Sequence, residues 1–98
     1  MELYSSRTLD ELGRFILHNE LRKKLGFNAG DKVSLRLIDT IVILQRFDGG
    51  EGADFFVGQI NEVGMVELPV ELRQTLGWKE KHKIALHHVD NLIILKSA

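Results

Sequence analysis

The chain has 98 residues, a net charge of −1, a pI near 6.4, and 44% apolar and 28% charged residues. These values suit one compact domain or two very small ones, and they argue against a broad polyanion-binding surface. The lack of cysteine excludes disulfides and thiolate metal sites. No apolar run approaches the roughly 18 residues of a membrane span and no signal-like segment follows Met1, so a cytoplasmic placement is expected.

In chain order, Gly13 marks a turn, and Phe15-Ile16-Leu17 after it reads as a short strand. Leu21 and Leu25 stand four apart on one helical face, with Gly26 where a left-handed C-cap is expected. Val33, Leu35 and Leu37 alternate with polar residues as a half-buried strand does, and Ile38-Asp39-Thr40-Ile41 reads as a two-residue hairpin turn. Residues 47–54, FDGGEGAD, are expected to form an exposed flexible linker. Then the order returns. A shift of 51 residues lays LDELGRFILHNELRKKLGF (9–27) over INEVGMVELPVELRQTLGW (60–78), and KVSLRLIDTIVIL (32–44) over KIALHHVDNLIIL (83–95). From 9/60 to 46/97, 13 of 38 positions are identical without a gap, among them Gly13/Gly64, Leu21/Leu72, Arg22/Arg73, Gly26/Gly77 and Asp39/Asp90. The chain is a duplication of a strand-turn-strand-helix-strand-turn-strand unit. Pro69 fits the first helical position of copy two.

Each copy has about 45 residues, near the limit below which a lone chain rarely buries enough apolar surface to fold. The copies must therefore share a core, with each other or with copies in a second chain.

Residues 5–46 closely resemble the AbrB/SpoVT-type (MazE-like) DNA-binding domain, through the order and spacing of Asp10, Gly13, Arg14, Glu20, Leu21, Arg22, Leu25 and Gly26. A more divergent match covers about 56–96. The resemblance implies a mainly β fold with short helices: two tandem swapped-hairpin β-barrel repeats around an interleaved core. It divides the chain into repeat 1 (1–46), linker (47–54) and repeat 2 (55–98). It also implies that double-stranded DNA is met by arginines of the first strand, the following turn and the helix, which here are Arg7, Arg14 and Arg22, with Lys23 and its neighbour Lys24. The family's proline at the end of the second strand is His18 in copy one and Pro69 in copy two, so copy one loses a favourable helix start.

The two copies separate scaffold from charge. Residues 1–46 hold eight Lys/Arg against six Asp/Glu, residues 47–54 three acids and no base, and residues 55–98 five of each. Copy two keeps the apolar and glycine positions but has Gly58, Met65, Gln74 and Thr75 where copy one has Arg7, Arg14, Lys23 and Lys24; only Arg73 survives. Arginine's planar fork suits phosphate and guanine, whereas the lysines would serve as phosphate contacts. For Arg22/Arg73, an ion pair with the neighbouring Glu20/Glu71 or between copies is an equal alternative.

No cofactor or metal is expected. His87 and His88 are adjacent on a strand and point to opposite faces, which does not suit one ion. Trp78 aligns with Phe27 and, like Phe55 and Phe56, reads as a packing residue. No nucleophile stands with a partner base and no glycine-rich phosphate loop is present, so catalysis is not expected. The reading is a DNA-binding transcriptional regulator in which copy one makes the contact and copy two supports assembly. Pairing within one chain and pairing between chains both remain open, with a homo-oligomer favoured because five cations are a thin contact surface. The alternative is an antitoxin-like or co-regulatory module whose ligand is a protein.

Overall fold

The computed structural model describes residues 2–50 and 54–98; residues 51–53 of the expected linker lie outside the described residues. Copy one forms β1 (Glu2–Thr8), β2 (Arg14–Ile16), α1 (Asn19–Leu25), β3 (Lys32–Ile38) and β4 (Ile41–Arg46). Copy two repeats the series as β5 (Phe56–Gln59), β6 (Met65–Glu67), α2 (Val70–Leu76), β7 (Lys83–Val89) and β8 (Leu92–Ser97).

The strands interleave. A six-stranded antiparallel sheet runs β1-β7-β8-β4-β3-β5, and β2 pairs with β6 in a separate ribbon. Each copy keeps its own hairpin, β3–β4 or β7–β8, but sends its first strand to the other copy: Arg7 lies opposite Ile84, and Gly58 opposite Val33. The order is the same read from either end. In the ribbon Phe15 faces Val66, and at the centre of the sheet Ile43 faces Ile94, each pair separated by the repeat offset of 51. A pseudo-twofold axis therefore passes through both pairs, and the shared core forms within one chain. Among the described residues, strand hydrogen bonds do not close a full barrel: β1 and β5 are the two sheet edges, and the β2–β6 ribbon runs beside them, with an isolated bridge between Ile60 and Val66.

The core draws equally on both copies. Leu9, Leu17, Leu21, Leu35 and Leu44 are buried with their mates Ile60, Leu68, Leu72, Leu86 and Leu95. At about 1.5–3 kcal/mol for each fully buried large apolar side chain, this shared set is what makes two sub-critical copies fold. Phe27 and Trp78 are both buried, 2% and 4% exposed, in the packing role their alignment indicates. Backbone bonds stitch the copies as mates: Leu9 N–H donates to His82 C=O and Ile60 N–H to Asp31 C=O, both at 3.0 Å.

Both helices end on a left-handed glycine, Gly26 (φ 76°) and Gly77 (φ 72°). The two-residue hairpin turns place Asp39 and Asp90 in the same left-handed region, a conformation that short polar side chains tolerate. The helix starts differ from expectation. Pro69 occupies the N-cap, one residue ahead of the first helical position, with φ −57° and ψ 146°. His18 holds almost the same backbone, φ −55° and ψ 140°, and its Nδ1 accepts the Glu20 N–H at 3.3 Å. Loss of the proline thus leaves a capped helix start, because the imidazole accepts one of the first-turn N–H groups that would otherwise lack a partner.

Candidate nucleic-acid interface

The five candidate cations occupy three kinds of place. Arg7 is half-buried on β1, opposite Ile84, with its Nη1 donating to Ser6 C=O at 3.1 Å. Its Nε is buried without a hydrogen-bond partner among the described residues.

Arg14 opens β2 and is tied to the turn before it. Asp10 Oδ1 accepts the N–H groups of Leu12 (2.9 Å) and Arg14 (2.8 Å), which closes the turn, and Oδ2 accepts Arg14 Nε at 2.7 Å. The Arg14 N–H first, then its guanidinium and the Leu12 N–H, hold the Asp10 carboxyl below its ordinary value, against an opposing desolvation. Copy two builds the same turn with a neutral residue: Asn61 Oδ1 accepts the N–H groups of Val63 (3.0 Å) and Met65 (2.9 Å). The acid is therefore dispensable for the turn. What it adds in copy one is an anchor that orients Arg14, leaving the rest of the guanidinium fork for another acceptor.

Arg22 plays another part. Its Nε donates to Leu17 C=O (3.1 Å), and its guanidinium lies over Gly64, where an added Cβ would stand 2.9 Å from Cζ. Its mate repeats the carbonyl bond but, among the described residues, not the further bond that Arg22 Nη2 donates to Asn19 Oδ1 (3.3 Å): Arg73 Nε donates to Leu68 C=O (3.0 Å), and its side chain covers Gly13 so closely that a Cβ there would stand 2.2 Å from Nε. The neighbouring backbone completes the latch, with Leu17 N–H donating to Gly64 C=O (2.8 Å) and Leu68 N–H to Gly13 C=O (2.9 Å). The expected ion pair with Glu20 or Glu71 is not what holds these arginines. Each is an inter-copy clamp over a glycine of the opposite turn, and the two glycines, at φ 75° and 85°, provide both the backbone and the space.

Lys23 and Lys24 are exposed in the last turn of α1, where cations also complement the helix dipole. Lys24 Nζ lies 3.5 Å from His88 Nε2 on β7. Arg7 and Lys24 thus both approach β7, four strand residues apart, or about 13 Å. Their mates carry no charge; Thr75 turns its hydroxyl onto its own helix, donating to Glu71 C=O at 2.9 Å.

One cation was missed in the sequence. The exposed Arg46, at the end of β4, brings Nη1 to within 3.8 Å of where a Cβ on Gly26 would stand, and so joins Lys23 and Lys24 at the C-terminus of α1. The available signal was its place in the repeat, since its mate is the uncharged Ser97, whose Oγ lies 2.9 Å from His82 Nε2. The structure therefore gathers Lys23, Lys24 and Arg46 around one helix end, keeps Arg7 and Arg14 on either side of the Asp10 turn, and employs Arg22 as a clamp. Among the described residues, no group of three or more His, Asp or Glu side chains is arranged to hold a metal ion, and no helix is long and apolar enough to cross a membrane.

No family model and no curated protein matches the sequence. Among solved structures, the fold is similar to the solution structure of PHS018 from Pyrococcus horikoshii, with 23% identity and a TM-score of 0.57, over 96% of this chain and 86% of that one. The likeness is one of fold.

Proposed function

We propose that the protein binds double-stranded DNA as a transcriptional regulator of the AbrB/SpoVT type, through Arg7, Arg14, Lys23 and Lys24 of copy one, with Arg46 as a further phosphate contact. One observation carries this reading. Two halves with the same order of strands, turns, arginine clamps and C-terminal glycine caps differ in these positions, and copy two takes up the same fold with Gly58, Met65, Gln74, Thr75 and Ser97 there. The charges are not needed by the scaffold, so they serve something outside it, and cations dispersed over a turn and a helix end suit a polyanion. Arg22 contributes mainly by holding α1 in place.

The test is fluorescence anisotropy against a mixed-sequence duplex at about 50 and 200 mM salt, with Arg14→Met, Lys23→Gln and Lys24→Thr combined in one variant. Sub-micromolar binding that weakens steeply with salt, and that falls at least about tenfold in the folded variant, supports the reading. Equal affinities for the two proteins, or no binding at low salt, refute it.

A second reading has its own observation. The turn tips carry the mates Leu12 and Val63, 50% and 66% exposed, and Ile16 and Val70 are exposed as well. Apolar tips in both copies favour a protein ligand. That reading requires partner binding to be lost in Leu12→Ser/Val63→Ser while binding to DNA, if any, is unchanged.

A further inference from the structure

We propose that a single chain engages DNA through one half only, so that its target is a non-palindromic segment of about one helical turn rather than an inverted repeat. The inference rests on the DNA-binding reading above and adds the symmetry and stoichiometry of the site. Twofold proteins match palindromes because both halves present the same contacts. Here the twofold is built inside one chain, through Phe15/Val66 and Ile43/Ile94, and the two faces it relates are opposite in charge. Residues 7–26 carry five cations and three acids, a net of +2; their mates, residues 58–77, carry Arg73 and the three acids Glu62, Glu67 and Glu71, a net of −2. The one cation in the second segment is committed to Leu68 C=O and to Gly13. Glu67 even stands where copy one has the apolar Ile16, opposite Arg14 in the ribbon. A duplex laid symmetrically across the axis would thus be attracted by the segment 7–26 and repelled by its mate, 58–77, in a half that is neutral as a whole. The favourable placement is off the axis, over β1, the Asp10 turn and α1.

The experiment restores the missing charges. Gly58→Arg, Met65→Arg, Gln74→Lys and Thr75→Lys give copy two the cations of copy one. Position 58 accepts a Cβ, which meets only ordinary contacts, the nearest 3.4 Å away at Leu35. Should the fourfold variant not fold, Gln74→Lys/Thr75→Lys changes two exposed positions alone. The readouts are the slope of log affinity against log salt on a mixed-sequence duplex of about 21 base pairs, two helical turns, and the mass of the complex by sedimentation. With about 0.9 counterions released per phosphate contact, the five contacts Arg7, Arg14, Lys23, Lys24 and Arg46 give the unaltered protein a slope of roughly −4.5 at one chain per duplex. The fourfold variant should approach roughly −8, and the twofold variant should steepen by roughly 1.8. Binding of the unaltered protein with a slope that neither variant steepens overturns the one-half inference and leaves the DNA reading standing. No binding by the unaltered protein overturns both.

Discussion

The two halves of this chain are a comparison made within one molecule. Copy one and copy two share a backbone, a core and a pair of reciprocal clamps, so a feature present in both is explained by folding and a feature present in one is not. Arg22 and Arg73 fall in the first class, because each spans from its own helix to a glycine of the other half. Arg7, Arg14, Lys23, Lys24 and Arg46 fall in the second. Of the five candidate cations, the one retained by the duplicate is the one the scaffold uses.

The largest effects should come from breaking what the halves share. Gly13→Ala puts a Cβ into the Arg73 side chain at a left-handed backbone position, and should lower unfolding stability by about 2–3 kcal/mol in a urea titration. Gly64→Ala, whose Cβ would stand farther from Arg22, should cost less. Equal costs would show that the two clamps relax alike. Removing a clamp arginine comes next: Arg22→Ala and Arg73→Ala should each cost about 1–2 kcal/mol, since each leaves a carbonyl bond unmade over the same glycine packing, and the exposed Arg22–Asn19 bond should add little to the difference. A cost confined to one of them would break the symmetry of the account.

Smaller effects sharpen the differences. Lys81 sits at φ 70° where its mate, Gly30, has φ 90°. Lys81→Gly should therefore raise stability by about 0.5–1 kcal/mol, read as an increase in the denaturation midpoint. Asp10 is the acid version of Asn61. Its depressed pKa means that its stabilising contribution is complete above its ordinary value of 3.8 and is lost as pH falls through the lower folded value. Asp10→Asn should keep the turn and flatten the acid limb of stability against pH; an unchanged acid limb would remove the Arg14 anchor from the account. The smallest change is His18→Pro, which gives copy one the residue of copy two at nearly identical dihedrals. Loss of the imidazole cap and gain of proline rigidity should cancel to within about 1 kcal/mol in thermal unfolding.

Much of the fold was legible in the sequence because the repeat is gapless and its punctuation is chemical. Gly26 and Gly77 cap the helices, Asp39 and Asp90 turn the hairpins, and the apolar positions recur at the same offset. What was not legible depended on where the strands go. The family resemblance implied interleaved strands, but nothing in the spacing of β1 says that it pairs with β7, and without that register the contact of Arg22 with Gly64 cannot be anticipated. The Arg–Glu pair, an equal alternative for Arg22 and Arg73, is not formed among the described residues, because the guanidinium groups lie over glycines across the axis. Arg46 was passed over because it lies at the far end of the hairpin, some twenty residues from α1, and only β4 packed beside the helix end brings it near Gly26.

The central claim is that one half of a symmetric scaffold meets DNA. Its most direct test is backbone amide NMR during titration with a duplex at low salt. The account predicts shifts concentrated in residues 7–26 and at Arg46, with their mates in 58–77 and Ser97 unmoved. Comparable shifts in both halves, or none in either, would contradict it.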